Sequence, residues 1–285
     1  MKNTEQTYKV GVYEKAFPEE LTTLDALLIA KDSGYDFYEI NIDRTEKRID
    51  RVYNLQYQLE LEKAIEKSGF QVGSLGLSAL STYTLGHPDH EIEQRALDIF
   101  RNTILFAVRF GIRIVQIPAC DMPKFDVRTD DTRDRFFRNL KYATEFAGMN
   151  GVVLGMENME NDFMDSIKKC ADAVAYINSP YLQLYPDAGN VTNAWKNDME
   201  KIISDMELCR GKSLAFHLKE VQPDRYGGLF YGDGHVDFKT LAKKAYDLGI
   251  RRFGMEYWYT GNENWKQDLV TARKYCDFWI NGEDK

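Results

Sequence analysis

Strand-like and helix-like segments alternate along this chain eight times, and that rhythm restricts the fold more than any single motif does. The strand candidates are 8–13 (YKVGVY), 36–42 (DFYEINI), 70–76 (FQVGSLG), 112–118 (IRIVQIP), 152–157 (VVLGME), 182–187 (LQLYPD), 213–217 (SLAFH) and 252–256 (RFGME). Short apolar runs bounded by turn residues read as buried strands. Each is followed by apolar residues at helical spacing, which gives a helix one apolar face. The stripes are Leu24, Leu27 and Leu28; Leu61, Ala64 and Ile65; Ile92, Ala96, Ile99, Thr103, Ile104 and Ala107; and Phe136, Leu140, Ala143 and Ala147. They continue with Ile167, Ala171, Val174 and Ile177; a weaker stretch at 199–208; Leu241, Ala245 and Leu248; and Leu269, Ala272, Cys276 and Ile280. Four helices are predicted to stop at a glycine: Ser33-Gly34, Ser68-Gly69, Phe110-Gly111 and Leu248-Gly249. Glycine enters the left-handed cap conformation without a Cβ penalty.

Eight such units without a Pro/Gly/Ser-rich linker or a break in composition predict one (β/α)8 TIM-barrel domain over residues 1–285. The competing architecture, an open doubly wound sheet, would usually carry a glycine-rich first turn. Here that turn reads Glu14, Lys15, Ala16, Phe17, Pro18.

In a barrel of this kind, side chains at the carboxyl ends of the strands converge on one mouth. Glu157, Asp187, His217 and Glu256 each close a predicted strand, at intervals of 30, 30 and 39 residues. Taken singly, a strand-end acid is an ordinary loop residue or helix cap, and a strand histidine an ordinary core residue. Four in successive units form a binding constellation. They offer oxygen and nitrogen donors without thiolate, a set that suits Mn²⁺, Mg²⁺, Co²⁺ or Zn²⁺. A cation there could hold two adjacent substrate oxygens and acidify the C–H beside a carbonyl. Glu157 and Glu256 come from the fifth and eighth strands and can flank one carbon, as an epimerase requires. An isomerase or a lyase could use similar parts.

Composition narrows the partners. A net charge of −8 counts against a broad nucleic-acid surface. No run of 18 apolar residues suggests a membrane span, and 1–8 lacks the apolar stretch of a secretory signal. Cys120, Cys170, Cys209 and Cys276 are widely spaced and expected to be reduced thiols. A cytoplasmic enzyme acting on a small molecule is the resulting expectation.

Several stretches resemble the sugar-phosphate isomerase/epimerase superfamily of xylose-isomerase-like barrels, over nearly the whole chain. They are 11–16 (GVYEKA), 34–39 (GYDFYE), 77–79 (LSA), Met156-Glu157, 183–190 (QLYPDAGN), 217–219 (HLK), 232–238 (GDGHVDF) and 255–258 (MEYW). The resemblance implies a metal-dependent ketose-phosphate 3-epimerase interconverting L-ribulose 5-phosphate and L-xylulose 5-phosphate. It assigns the metal to Glu157, Asp187, His217 and Glu256, makes the two glutamates the proton-transfer pair, and suggests a homodimer. Related epimerases of free ketoses carry a His just after the Asp ligand and an Arg six residues after the His ligand. This chain has Ala188 and Pro223 there, which favours a phosphorylated substrate. Another ketose, phosphorylated or not, or an inositol-type dehydration remains an alternative on the same scaffold. A repair endonuclease of the same superfamily would want many histidines at the mouth, and this chain has four in all.

A phosphate needs donors. The loop after the seventh strand offers Lys219, Gly232, Gly234 and His235, and small residues there can expose backbone N–H groups to an anion. Lys15 and Ser78 sit at predicted strand ends and are candidates for phosphate or hydroxyl contacts. Glu39 is a candidate for a substrate hydroxyl or for a lysine of the site. His87 and His90 fall in a polar loop and carry no expected role.

Overall fold

The computed structural model describes residues 6–223 and 225–282. Eight strands form one parallel sheet: β1 (Lys9–Tyr13), β2 (Phe37–Asn41), β3 (Val72–Gly76), β4 (Ile114–Pro118), β5 (Val153–Glu157), β6 (Leu182–Leu184), β7 (Phe216–Lys219) and β8 (Arg252–Glu256). Neighbours in sequence are neighbours in space, and β1 pairs with both β2 and β8. The circle closes between β6 and β7 through isolated parallel bridges, Leu184 to Ser213 and Asp187 to His217. The backbone N–H of His217 donates to the Pro186 carbonyl at 2.8 Å across that seam. The fold is therefore the predicted (β/α)8 barrel. The reading of 1–5 as free of a secretory signal lies outside the described residues.

Ten helices are present among the described residues: α1 (Thr23–Asp32), α2 (Glu46–Asp50), α3 (Leu55–Ser68), α4 (His90–Arg109), α5 (Asp130–Met149), α6 (Ile167–Ile177), α7 (Ala188–Ala194), α8 (Met199–Met206), α9 (Phe238–Asp247) and α10 (Trp265–Asn281). All four predicted stop glycines have positive φ: 86° at Gly34, 57° at Gly69, 69° at Gly111 and 97° at Gly249. No described helix is long and apolar enough to cross a membrane.

Alternation along the strands separates two environments. Val10, Val12, Tyr38, Ile40, Leu75, Val115, Ile117, Leu154, Met156, Phe216, Leu218, Phe253 and Met255 belong to the apolar core between sheet and helices. The intervening positions face inward and include the buried polar residues Glu39, Ser74, Gln116, Glu157, His217, Lys219 and Glu256. Core residues thus hold the helices, while a polar set fills the carboxyl end of the barrel.

Three details depart from the periodicity reading. α2 and α7 are additional helices, too short for an apolar stripe to announce them. Leu28 is 37% exposed, because α1 turns Ala26, Leu27 and Ala30 inward instead. β6 ends at Leu184 and β7 begins at Phe216, so Asp187 lies beyond its strand and His217 lies inside its own. Pro186 has no N–H to give to a ladder, which ends the regular pairing before Asp187.

Candidate active site

The four sequence-selected residues meet. Ligand atoms from Glu157, Asp187, His217 and Glu256 all lie within 4.8 Å of one another, and all four residues are buried. Glu157 and Glu256 end β5 and β8. Asp187 caps α7: its Oδ1 accepts from the Asn190 backbone N–H at 2.6 Å, and its own N–H donates to Asn158 Oδ1 at 2.9 Å. These bonds fix the carboxylate and leave Oδ2 buried without a hydrogen-bond partner.

His217 is held from both sides. Its Nδ1 lies 2.7 Å from Glu157 Oε1 and 3.0 Å from Glu256 Oε2, while Nε2 lies 2.6 Å from Glu39 Oε1. One ring N–H can point at only one acceptor, so the closer Glu157 receives the Nδ1 bond and Glu256 Oε2 is left unpaired as a hydrogen-bond acceptor. Lys219 Nζ stands 3.5 Å from Asp187 Oδ1 and 4.0 Å from Glu256 Oε1.

Burial and this charge pattern split the proton affinities. Burial, with Glu256 and Glu157 nearby, raises Asp187 to about 8 against the pull of Lys219. Burial, with Glu256 beside it, raises Glu157 above the usual carboxylate range. Burial works the same way on Glu256, yet Lys219 and His217 bring it down to about 2. Burial would lower His217, but Tyr185, Glu39, Glu256 and Glu157 hold it well above the ordinary imidazole value. Four carboxylates (Glu39, Glu157, Asp187 and Glu256) thus surround the His217 ring and the Lys219 ammonium. Two buried carboxylate oxygens lack partners, and buried anions normally need pairing or a metal. The donor set and its unspent oxygens fit a divalent cation.

The remaining sequence candidates separate. Lys219 belongs to the cluster itself. Lys15 stands in the short turn after β1, with Nζ 3.2 Å from Asp43 Oδ2 and 5.7 Å from the Trp258 ring centre. Glu39 does not face the mouth. It is fully buried, and its carboxylate accepts from His217, Ser74 and Tyr185, so no oxygen is turned toward a substrate hydroxyl or a lysine. Ser78 Oγ is bonded to the Asn41 amide at 2.9 Å. His235 Nε2 lies 2.8 Å from Asn193 Oδ1. The glycine-containing loop already wraps an anion, and it is internal. Glu220 accepts from the backbone N–H groups of Val221, Gly232 and Val236 at 3.1, 3.0 and 3.2 Å. Gly234 packs so closely on Glu220 that a Cβ there would fall 2.2 Å from Oε1.

Sequence reasoning missed the residues that orient the cluster. Gln116 donates to Glu157 Oε2 at 2.6 Å. Asn158 holds the Asp187 backbone, and Tyr185 and Ser74 hold Glu39. Gln116 had left a sign: it is a polar residue inside the apolar run IRIVQIP.

A xylose isomerase-like TIM barrel family matches residues 27–275. The L-ribulose-5-phosphate 3-epimerase UlaE of Salmonella heidelberg is 34% identical over 271 residues, covering 93% of each chain. Among solved structures, an L-ribulose 3-epimerase superposes with a TM-score of 0.73 at 18% identity, covering 96% of this chain and 95% of that one. A xylose isomerase-like TIM barrel protein from Mycobacterium smegmatis, solved in complex with magnesium, gives a TM-score of 0.68 at 15% identity, with 97% of each chain covered. These two structural likenesses speak to the fold, whereas the family match and the 34% relative speak to descent. The chain belongs to the xylose isomerase-like TIM-barrel family and is an epimerase within it.

Proposed function

We propose that this chain is a divalent-metal-dependent 3-epimerase that interconverts L-ribulose 5-phosphate and L-xylulose 5-phosphate. The observation that carries the reading is the buried Glu157–Asp187–His217–Glu256 cluster, with two glutamates arriving from β5 and β8. The UlaE relatives support the substrate class, and the magnesium-bound structural neighbour is consistent with a hard cation. Those four residues would hold the metal, and a bound cation would supply Lewis acidity toward the substrate carbonyl at C2.

The protein groups then divide the proton work. One glutamate takes the C3 proton as the C–H electron pair moves toward the C2 oxygen. The other, protonated, returns a proton to the opposite face of C3. The pair therefore ends each turnover with its one proton on the other carboxylate. Environments that push two carboxyl groups apart in proton affinity suit such a division, and Glu157 and Glu256 are shifted in opposite directions. The ammonium of Lys219 lies beside the cluster, where it offsets negative charge developing on the substrate. Lys15, near Asp43 and Trp258, is the candidate for the distal end of the substrate. Four buried free thiols suit the reducing cytosol, and a homodimer is the assembly we expect.

One observation favours a second reading. The loop expected to cradle phosphate has given N–H groups to Glu220, which leaves an unphosphorylated ketose in play. Proton NMR in D2O separates the two, using L-ribulose 5-phosphate and L-ribulose with EDTA or added Mn²⁺. Metal-dependent loss of the C3 proton with growth of the C3 epimer from the phosphate alone supports the first reading. Turnover of the free sugar alone supports the second, and no exchange from either sugar overturns both.

A further inference from the structure

We infer that Glu39 is a positioning residue: clamped by Ser74 and Tyr185 beneath the site, it fixes the orientation and tautomer of the His217 ring and thereby strengthens the cluster's hold on a divalent cation. This rests on the metal reading of the cluster given above.

Glu39 sits in the middle of β2 and is wholly shielded from solvent. A carboxylate in that position persists only if its lone pairs are satisfied. Three separate elements satisfy it. His217 Nε2 on β7 is 2.6 Å from Oε1, and Ser74 Oγ on β3 and Tyr185 OH after β6 donate to Oε2 at 2.5 and 2.6 Å. The clamp therefore joins distant sectors of the barrel under the cluster.

The ring has little room to choose another pose. Tyr185 packs against it, with ring centroids 4.5 Å apart and planes inclined by 44°. On β8, Gly254 pairs in register with His217. A Cβ at Gly254 would come within 2.6 Å of His217 Cδ2 and 3.1 Å of Nε2, so the imidazole occupies the space of the missing side chain. With Nε2–H directed to Glu39, the Nδ1 proton shared with Glu157 in the metal-free site is the one a cation would displace, and the lone pair left behind is directed at the space shared by Glu157, Asp187 and Glu256. A carboxylate on the remote ring nitrogen sets the tautomer and makes the ligating nitrogen a better donor.

The test is Glu39→Gln, which preserves shape and removes the charge, with both proteins titrated with Zn²⁺ against a competing chelator. The dissociation constant is expected to rise about 10–100-fold. In parallel, long-range ¹H–¹⁵N spectra of the Zn²⁺-loaded protein, simplified by four histidines in all, should show His217 protonated at Nε2. In the variant that N–H should exchange faster. Equal affinities with an unchanged His217 spectrum overturn the role of Glu39 and leave the metal reading standing. A wild-type protein that binds no Zn²⁺, Co²⁺ or Mn²⁺ overturns the metal reading and this inference with it. Should Glu39→Gln fail to fold, Tyr185→Phe and Ser74→Ala each remove one donor to Glu39. A smaller loss of affinity in both supports the clamp, and unchanged affinity in both overturns it.

Discussion

Two buried ionic clusters occupy the carboxyl end of this barrel, and they are built on opposite principles. Near β1 and β2, Glu14 meets Arg48 at 2.9 Å and Arg51 at 2.7 Å and accepts the Asn41 backbone N–H at 2.7 Å. Asp43 adds Lys15 at 3.2 Å and Arg48 at 3.5 Å. Each carboxylate there has its cation. Across the mouth, Glu157, Asp187 and Glu256 crowd together around His217 and Lys219, and two of their oxygens lack hydrogen-bond partners. In the first cluster the opposite charges balance; in the second, carboxylates are in excess, as the proposed cation site requires. Both cost desolvation, which fixed partners offset in the first case and a bound cation would offset in the second.

The comparison can be broken in order of expected effect. Glu157→Gln and Glu256→Gln should each lower turnover by about 10²–10⁴-fold, the usual scale for a proton-transfer group, with the fold intact by circular dichroism. Full activity in either variant would remove the two-base scheme. In the matched cluster, Glu14→Gln removes the paired charge from Arg51 and leaves Arg48 only its longer pairs to Asp43 and Glu19, which should cost about 3 kcal/mol of stability, read by chemical denaturation. A neutral result would mean that water already screens that pair.

The apparent metal affinity should rise about tenfold or more from pH 6 to pH 8. The ligands must shed protons to bind, and Asp187 at about 8, Glu157 and His217 all hold theirs unusually tightly. Titration calorimetry in buffers of different ionisation enthalpy would count the protons released, and a flat profile would contradict the proposed ligand set. Asp187→Asn keeps the helix cap but removes a buried acid that the fold forces to hold its proton. At pH 7 an acid whose folded pKa is raised weakens the folded state, so in EDTA the variant should melt about 2–4 °C higher. A lower melting temperature in EDTA would show that the cluster is not over-charged. Smallest of all, His235→Ala should change kcat/KM less than about twofold, since its ring is bonded to Asn193 and surface substitutions away from a site rarely matter much. A large loss would return the glycine loop to the substrate.

Much of this molecule was legible beforehand, for identifiable reasons. The barrel follows from a repeat: eight apolar strands, each trailed by an amphipathic stripe, with glycines at four helix ends that all take positive φ. The four cluster residues follow from the same repeat, because strand ends in successive units must converge. Glu39 was legible as a polar residue in a strand but not in its role. One face of β2 looks like another in sequence, and only the barrel's interior shows that its carboxylate lies under His217. The glycine loop misled for a related reason. Its N–H groups do cradle an anion, but Glu220, the residue just beyond the end of β7, supplies it.

By itself, then, the sequence determined the period, the caps and the chemical type of each strand-end donor, because these depend on local backbone preference and on residues one repeat apart. The tertiary structure decided which polar groups face one another across the barrel: Gln116 on Glu157, Tyr185 and Ser74 on Glu39, Lys219 beside Asp187. Those pairings join residues from different β/α units, and only closure of the sheet brings them within hydrogen-bonding or charge-pairing reach.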